Sequence, residues 1–203
     1  MYKNFFKRLI DFFVALFGLL VLSPIFLLVT IGLFFANNGK PLFFQLRPGK
    51  DERIFKIIKF KTMNDKTDEQ GNLLSDAKRL TKIGSFVRKT SLDEIPQLIN
   101  ILIGDMSLIG PRPLLLKYLP YYTDKERVRH SVRPGVSGLA QVNGRNTVNW
   151  NDRLAFDVVY VENLSFKLDL QILYKTVLKV IVSENLVIDP ESIMQNLDDE
   201  RKV

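Results

Sequence analysis

The longest uninterrupted run of hydrophobic residues lies near the start of the chain. From Phe12 to Ala36 the sequence contains no charged residue, and a helix of this length can cross a bilayer, for which roughly 20 residues suffice. Ser23 and Pro24 lie in the middle of the run. A proline there removes a backbone donor and breaks or kinks the helix. The pattern therefore predicts a membrane segment that is broken at its centre.

Basic residues flank the apolar run on both sides. Lys3, Lys7 and Arg8 precede it, while Lys40 and Arg47 follow it. Because basic residues beside a membrane segment prefer the cytoplasmic side, a helix that enters and returns keeps both groups inside, whereas a spanning helix places one group outside. Charge and proline alone leave a re-entrant helix and a kinked spanning helix open. A signal peptide is disfavoured by the length of the run and by the lack of a small-residue cleavage site.

Beyond the apolar run, the chain changes to shorter segments of mixed polarity. Segments 41–46 and 54–63 have the alternation of half-buried strands, and the second carries lysines on one face. Glycine- and proline-rich loops are expected at 104–113 and 133–145. Helical periodicity is found in the segments 78–89, 94–103, 114–129, 151–163 and 168–182. The pattern predicts a helix-rich α/β fold with a small sheet.

The last of these helices is hydrophobic around most of its circumference. Its lysines, Lys175 and Lys179, are four residues apart and share one side. Such a helix either packs in the core, which is the commoner case, or lies in a membrane interface with its lysines reaching water.

Composition narrows the possible chemistry. The chain has 203 residues, a net charge of +7 and no cysteine, which excludes disulfides, thiolate catalysis and cysteine-bound zinc. His130 is the single histidine, so acid–base chemistry must depend mainly on carboxylates. A basic chain suits an anionic partner. The apolar N-terminal run favours anionic lipid and phosphorylated small molecules over nucleic acid.

Asp93 and Glu94 form the acidic pair with the clearest chemical use. One interpretation is a capping box, in which Ser91 caps a helix and Glu94 returns the hydrogen bond; Pro96 would then lie inside the helix, where it is costly. A helix that begins at Asp93 instead places Pro96 in the first turn and both carboxylates at a helix N-terminus, where the dipole favours ionisation. An ionised aspartate can attack phosphorus and bind Mg²⁺. Both interpretations stay open.

Basic residues that could bind phosphate lie in two loops and on a strand. Arg112 stands between Pro111 and Pro113, which stiffen the backbone that carries a guanidinium suited to bidentate phosphate binding. A second glycine-rich loop ends at Arg145, and Lys59 lies on the basic strand face. An exposed structural turn explains Arg112 equally well, the loop at Arg145 is a weak signal on its own, and a solvated strand face is the default interpretation of Lys59. The sequence contains neither a Walker A motif nor a dinucleotide-binding glycine motif.

Several segments together resemble the bacterial sugar transferases, the monotopic phosphoglycosyl transferases. The resemblance covers nearly the whole chain and rests on KRLIDFFVALFGLLVLSP, FKIIKFKTM, IGSFVRKTSLDEIPQLINILIGDMSLIGPRP and RPGVSGLAQVNGR. The family implies transfer of a sugar 1-phosphate from a UDP-sugar to polyprenyl phosphate, with release of UMP. It also implies that residues 1–36 form a re-entrant membrane helix broken at Ser23 and Pro24. Residues 37–203 would form a catalytic domain on the cytoplasmic face, with interfacial amphipathic helices.

The same resemblance implies roles for individual residues. Asp93 would be the nucleophile that forms a phosphosugar-aspartyl intermediate, with Mg²⁺ bound beside it. Glu94 would assist proton transfer from the lipid phosphate, or position that phosphate. Pro111 and Pro113 would shape the loop at the site. The residues expected to bind substrate phosphates are Arg112, Lys59, Arg145 and Arg88.

The resemblance also implies partners and a location. The short chain is similar to those family members that transfer phospho-diacetylbacillosamine to undecaprenyl phosphate in protein N-glycosylation. A UDP-hexose or UDP-N-acetylhexosamine donor is the nearest alternative, and a non-catalytic scaffold that binds anionic lipid is an alternative of another class. The expected partners are a UDP-sugar, undecaprenyl phosphate and anionic lipid of the bacterial cytoplasmic membrane, not nucleic acid. The sequence gives no indication of the oligomeric state.

Overall fold

A computed structural model describes residues 1–144, 149–182 and 196–202. The helices are α1 (Lys7–Ala36), α2 (Asp76–Arg79), α3 (Lys82–Lys89), α4 (Gln97–Ile103), α5 (Asp124–Arg127), α6 (Leu139–Asn143), α7 (Trp150–Glu162), α8 (Phe166–Val182) and α9 (Leu197–Glu200). The strands are β1 (Leu42–Pro48), β2 (Ile54–Phe60), β3 (Ser107–Ile109) and β4 (Gly135–Ser137). A π-helical turn precedes α1, and short 3₁₀ turns lie at Lys50–Glu52, Leu92–Glu94, Leu116–Tyr121 and Val128–Ser131.

The strands form two separate pairs in the described part of the chain. β1 and β2, both predicted as strands, form an antiparallel hairpin in which Leu42 lies opposite Phe60. β3 and β4 form a parallel pair. This pair requires glycine, because a Cβ on Gly135 would lie 2.1 Å from the backbone nitrogen of Gly110. Both segments of the parallel pair were predicted as loops, since strands of three residues are too short to show alternation.

The prediction of one helix over 114–129 is wrong. The segment forms a 3₁₀ turn around Pro120, then α5, then a second 3₁₀ turn. Proline lacks the N–H that a continuing helix needs. A new helix then begins at Thr123, whose side chain accepts from the backbone N–H of Glu126 while the Glu126 carboxylate accepts from the backbone N–H of Thr123. Pro120 and the cap at Thr123 therefore divide the segment 114–129, although its hydrophobic residues keep helical spacing along its whole length.

The other helical predictions hold in type but not always in extent. Segments 151–163 and 168–182 correspond to α7 and α8. Segment 78–89 is divided into α2 and α3, because Thr81 caps α3 by accepting from the backbone N–H of Gly84. Hydrophobic residues from β3, α7 and α8 pack together in a core cluster that includes Ile109, Tyr160 and Ile172.

The first half of α1 is fixed to the rest of the chain by buried polar contacts. Lys7 Nζ donates to Asp169 of α8 at 2.7 Å, and both residues are buried. Arg8 donates to backbone carbonyls at the end of α4. Asp11 accepts from the Ser107 hydroxyl at 2.5 Å. The N-terminal end of the apolar helix therefore lies against α4, α8 and β3.

The second half of α1 packs against the same body. A Cβ placed on Gly18 would contact Leu98 of α4 at 3.5 Å, and the ring of Phe26 lies 5.0 Å from that of Phe60. Leu33 is fully buried, and the side-chain amide of Asn37 donates to the Lys61 carbonyl. Both ends of α1 and its middle therefore contact one and the same body.

α1 remains helical from Lys7 to Ala36, with Pro24 inside it, so the predicted interruption at Ser23 and Pro24 is not confirmed. Proline at position 24 cannot donate to the carbonyl of Leu20, four residues earlier. The Ser23 hydroxyl donates to that carbonyl instead, at 2.8 Å. A neighbouring serine thus replaces the hydrogen bond that proline removes. A re-entrant path through a membrane stays a prediction.

The outer faces of α1 and α8 are unusually apolar. α1 is long and apolar enough to cross a membrane, with a mean hydropathy of 2.8 over its most apolar window, of which 11% is buried. α8 also exposes large hydrophobic residues. At its start, the ring centroid of Phe166 lies 5.8 Å from that of Tyr2. The exposed apolar residues of the two helices include Phe13, Phe17, Leu20, Val21, Leu28, Phe35, Leu170, Tyr174 and Val177.

Candidate active site

An open cleft of about 1100 Å³ lies between β2, α3, α7, the turn at Leu92–Glu94 and the segment around Arg112. Among the residues that the structure describes, nine basic and five acidic side chains line it. Leu22 of α1 lines it as well, so the cleft reaches the apolar helix. A positively charged cleft next to an apolar surface suits an anionic substrate with a lipid chain.

The turn that carries Asp93 has an unusual backbone. Ser91 adopts a left-handed conformation, with φ 56°, and its side chain caps nothing. Asp93 and Glu94 lie in the following 3₁₀ turn, and α4 begins only at Gln97. Both sequence interpretations of this segment are therefore wrong in detail: there is no capping box, and no helix begins at Asp93. A left-handed non-glycine residue is strained, and such strain concentrates at functional sites.

Glu94 is held by two cations. Its Oε1 accepts from Lys59 Nζ at 2.8 Å and from Arg112 Nη2 at 2.9 Å. Burial opposes ionisation, but the charges of Lys59 and Arg112 outweigh it and hold the pKa of Glu94 well below its usual range. Two of the predicted phosphate-binding residues thus make their closest described contacts with Glu94.

Asp93 has a different environment from its neighbour. Within the described ranges its carboxylate accepts no hydrogen bond and forms no ion pair, and it faces the cleft. Burial, together with the negative charge of Glu94, raises the pKa of Asp93 to about 6. The sequence argument from the helix dipole predicted the opposite direction. At pH 7 the ionised form still prevails by roughly ten to one, so Asp93 is a free carboxylate available for nucleophilic attack.

The raised pKa of Asp93 predicts an acid limit on the reaction. The resemblance implies that Asp93 attacks phosphorus, which only its ionised form can do, so kcat/KM should fall about tenfold per pH unit below pH 6. Glu94→Gln removes the neighbouring negative charge and should shift this midpoint to lower pH. Bound Mg²⁺ would lower the midpoint too, so the two pH profiles are compared at one Mg²⁺ concentration. An identical midpoint in the variant would contradict the electrostatic account.

A buried ion pair fixes the backbone at Arg112. Arg129 and Asp157 are joined at 2.8 Å, and their side chains are only 1% and 2% exposed. Arg129 also donates from Nη2 to the carbonyl of Arg112 at 2.6 Å. Pro111 and Pro113 are buried on either side, while Arg112 itself is exposed. The segment therefore presents Arg112 toward Glu94.

Sequence reasoning missed this ion pair. Arg129 lies in a 3₁₀ turn and Asp157 in the middle of α7, and residues 28 positions apart give no local signal of a contact. The one available hint is that Asp157 shares a helical face with buried Leu154 and Val161. A carboxylate on an apolar helical face requires a buried partner.

The remaining predicted site residues are distributed as follows. Arg88 of α3 lines the cleft, and its charge acts on Asp93. Ser23 and Pro24 lie in α1, next to Leu22 at the edge of the cleft. Arg145 lies outside the described residues.

The residues of the site fit one mode of metal binding. Within the described residues there is no cluster of three or more acidic, histidine or cysteine side chains that could enclose a metal ion. Mg²⁺, however, is commonly bound by one or two carboxylates together with substrate phosphates and water. The unengaged carboxylate of Asp93 in a cleft of this size fits that arrangement.

Comparison with known proteins gives a consistent result. A family model described as bacterial sugar transferase matches residues 2–183. The chain is 52% identical over 181 residues to the uncharacterized sugar transferase EpsL of Bacillus subtilis, covering 89% of each chain. It is 38% identical over 194 residues to the exopolysaccharide production protein ExoY of Rhizobium meliloti, covering 87% of this chain and 86% of the relative.

A longer relative carries a more specific name. The chain is 36% identical over 190 residues to the UDP-glucose:undecaprenyl-phosphate glucose-1-phosphate transferase of Klebsiella pneumoniae, but it spans only 41% of that protein. The family match extends from the apolar helix through the cleft to the end of α8. This chain therefore belongs to the bacterial sugar transferase family.

Proposed function

We propose that this protein is a phosphoglycosyl transferase, which moves a sugar 1-phosphate from a UDP-sugar to undecaprenyl phosphate and releases UMP. The observation that carries the proposal is the free Asp93 carboxylate in a basic cleft that extends to the apolar helix α1. A water-soluble nucleotide and a lipid phosphate can both reach such a cleft. The names of several relatives describe this class of reaction.

In the proposed mechanism, Asp93 acts twice on the same phosphorus atom. Its carboxylate oxygen attacks the β-phosphorus of the UDP-sugar, and the bond to the bridging oxygen breaks, so that UMP leaves with the bonding electrons. An oxygen of undecaprenyl phosphate then attacks the sugar-bearing phosphorus. The Asp93–phosphorus bond breaks, and the carboxylate is restored. The product is undecaprenyl diphosphate bearing the sugar, with no net use of an oxidant or proton.

Glu94 serves in positioning rather than in proton transfer under this mechanism. Its low pKa and its bonds to Lys59 and Arg112 keep it ionised and make it a weak base, so it is poorly suited to take a proton from the lipid phosphate. It holds the two cations beside the phosphorus that Asp93 attacks, where negative charge develops. Asp93 is also the residue that would hold Mg²⁺, which when bound neutralises the diphosphate and polarises the phosphorus.

The sugar is proposed at the level of its class. The donor is either UDP-diacetylbacillosamine, for the first membrane step of N-glycoprotein assembly, or a UDP-hexose or UDP-N-acetylhexosamine. Relatives named for glucose and galactose transfer illustrate the second group.

A panel experiment tests the function and the sugar together. Purified protein is incubated with each UDP-sugar, undecaprenyl phosphate and Mg²⁺, and UMP is measured. We expect UMP release with one donor or a few, dependent on Mg²⁺. A protein that binds anionic vesicles yet releases no UMP from any donor would be the non-catalytic scaffold instead.

The membrane arrangement is proposed from the contacts of α1. Because both ends and the middle of α1 contact the body, a spanning path that carries one end to the opposite side does not fit these contacts. We propose that residues 1–36 dip into the cytoplasmic membrane and that residues 37–203 form the catalytic domain on its cytoplasmic face. The exposed apolar residues of α1 and α8 would contact lipid.

Cysteine labelling tests this arrangement. The chain has no cysteine of its own, so single cysteines at Lys3 and Asn38 report the two ends of α1. Both should be shielded from an impermeant reagent added to the periplasmic side of intact cells and labelled after lysis. Labelling of just one position in intact cells would show a spanning helix.

A further inference from the structure

Two arginines of the cleft lie apart from the Asp93–Glu94 pair. Arg47 of β1 and Arg153 of α7 both line the cleft, and Arg153 stacks on the Trp150 ring at 4.6 Å. The side chains with the largest charge effects on Asp93 are Glu94, Lys59, Arg112 and Arg88. Arg112 donates to Glu94, and its charge also acts on both Arg47 and Arg153. Arg112 is thus shared by the acidic pair and a second cationic group in the same cleft.

Arg47 has no acidic partner among the described residues. Its Nη2 donates to Gln45 at 2.6 Å, while its buried Nε has no hydrogen-bond partner. Burial and the positive charge of Arg112 lower the pKa of Arg47 to about 10, so it stays protonated at neutral pH. Burial and the same neighbour lower the pKa of Arg153. The negative charge of Asp157 opposes this effect at Arg153, but Asp157 is already paired with Arg129. A cationic group whose buried Arg47 Nε has no partner therefore favours a bound anion.

The in-line geometry of phosphoryl transfer indicates which anion binds to this cationic group. When Asp93 attacks the β-phosphorus, the leaving oxygen of UMP lies on the opposite side of that atom. The α-phosphate is therefore farther from Asp93 than the phosphorus under attack. In the second step the attacking lipid phosphate must approach from the side opposite Asp93, which is the position that UMP has vacated.

We infer that Arg47 and Arg153, together with Arg112, form a second phosphate subsite that holds the α-phosphate of the nucleotide in the first step and the phosphate of the polyprenyl acceptor in the second. This inference rests on the proposed function. One subsite used in turn by both phosphates makes UMP and polyprenyl phosphate mutually exclusive ligands. It also places the lipid phosphate at the end of the cleft lined by β1, which carries the exposed aromatic residues Phe43 and Phe44.

The test compares Arg47→Gln with Arg53→Gln. Arg53 lies on the same hairpin but is exposed and outside the cleft, so its replacement removes an equal charge without touching the subsite. For each variant, the KM for undecaprenyl phosphate and the inhibition constant of UMP against it are measured at a fixed UDP-sugar concentration. UMP should inhibit the unsubstituted protein competitively with the lipid.

In Arg47→Gln both constants should rise together by about tenfold or more, the scale of a lost charge-assisted contact, and neither should change in Arg53→Gln. Arg153→Gln, in α7, should raise the same two constants together. It provides an independent test if Arg47→Gln does not fold. A rise in only one of the two constants, or in neither, would overturn the shared subsite. Absence of UMP release by the unsubstituted protein would instead defeat the proposed function.

Discussion

Replacing Asp93 with Asn should lower UMP release by on the order of 10³-fold or more, the scale of removing an activated nucleophile. Asparagine has nearly the same shape but no negative charge with which to attack phosphorus. Because the Asp93 side chain has no hydrogen-bond partner among the described residues, the substitution breaks no such contact of the fold. The measurement is the initial rate of UMP release, with the melting temperature as a check on folding.

Glu94→Gln is the matched variant for that comparison. Glu94 is the neighbour of Asp93 in the same turn, and its replacement removes the same charge. Unlike Asp93, however, Glu94 binds Lys59 and Arg112. We expect Glu94→Gln to be slower than the unsubstituted protein, because Lys59 and Arg112 are held less firmly. It should still release some UMP in the first half-reaction. If Asp93→Asn kept a rate equal to that of Glu94→Gln, Asp93 would not be the nucleophile.

The second large effect is expected on stability. Asp157→Asn should lower the free energy of unfolding by about 3–5 kcal/mol, because it leaves the Arg129 guanidinium buried without its counter-charge. Arg129 also holds the Arg112 carbonyl, so the catalytic rate of the folded fraction should fall as well. Equilibrium unfolding in denaturant measures the first effect, and UMP release at a temperature well below the transition measures the second.

An exposed ion pair provides the control for Asp157. Asp199 contacts Lys202 at 3.2 Å with both side chains about half exposed or more, and such pairs contribute little. Asp199→Asn should leave both the unfolding transition and the rate unchanged. An equally small change in Asp157→Asn would show that the buried pair does not organise the site.

Hydrophobic periodicity predicted those parts of the fold that periodicity controls. The strands β1 and β2 and the helices α7 and α8 follow from alternation and helical spacing over seven or more residues. The segment 114–129 was mispredicted because Pro120 and the Thr123 cap act through single backbone hydrogen bonds, which a hydrophobic pattern does not register. At Pro24 a single hydrogen bond accompanies the opposite outcome. The Ser23 hydroxyl donates to the carbonyl that proline cannot reach, and the helix continues.

The candidate site was predictable in its residue types but not in its geometry. The resemblance marked Asp93 and Glu94. Local rules offered a helix capped by Ser91 or a helix that begins at Asp93, whereas the pair lies in a 3₁₀ turn after a left-handed Ser91. Their opposite pKa shifts depend on Lys59 and Arg112, which come from distant parts of the chain. Long-range contacts of this kind, such as Arg129 with Asp157, have no counterpart in a local pattern.

The most direct test of the central claim is the intact mass of the protein after incubation with a UDP-sugar and Mg²⁺ without lipid acceptor. Covalent catalysis predicts a mass increase equal to one sugar phosphate, in proportion to a burst of UMP, and peptide mapping should place it on Asp93. Adding undecaprenyl phosphate should remove the adduct, and Asp93→Asn should never acquire it. An unchanged mass with a donor that supports full turnover, together with intersecting initial-rate lines, would contradict the account and indicate direct attack by the lipid phosphate.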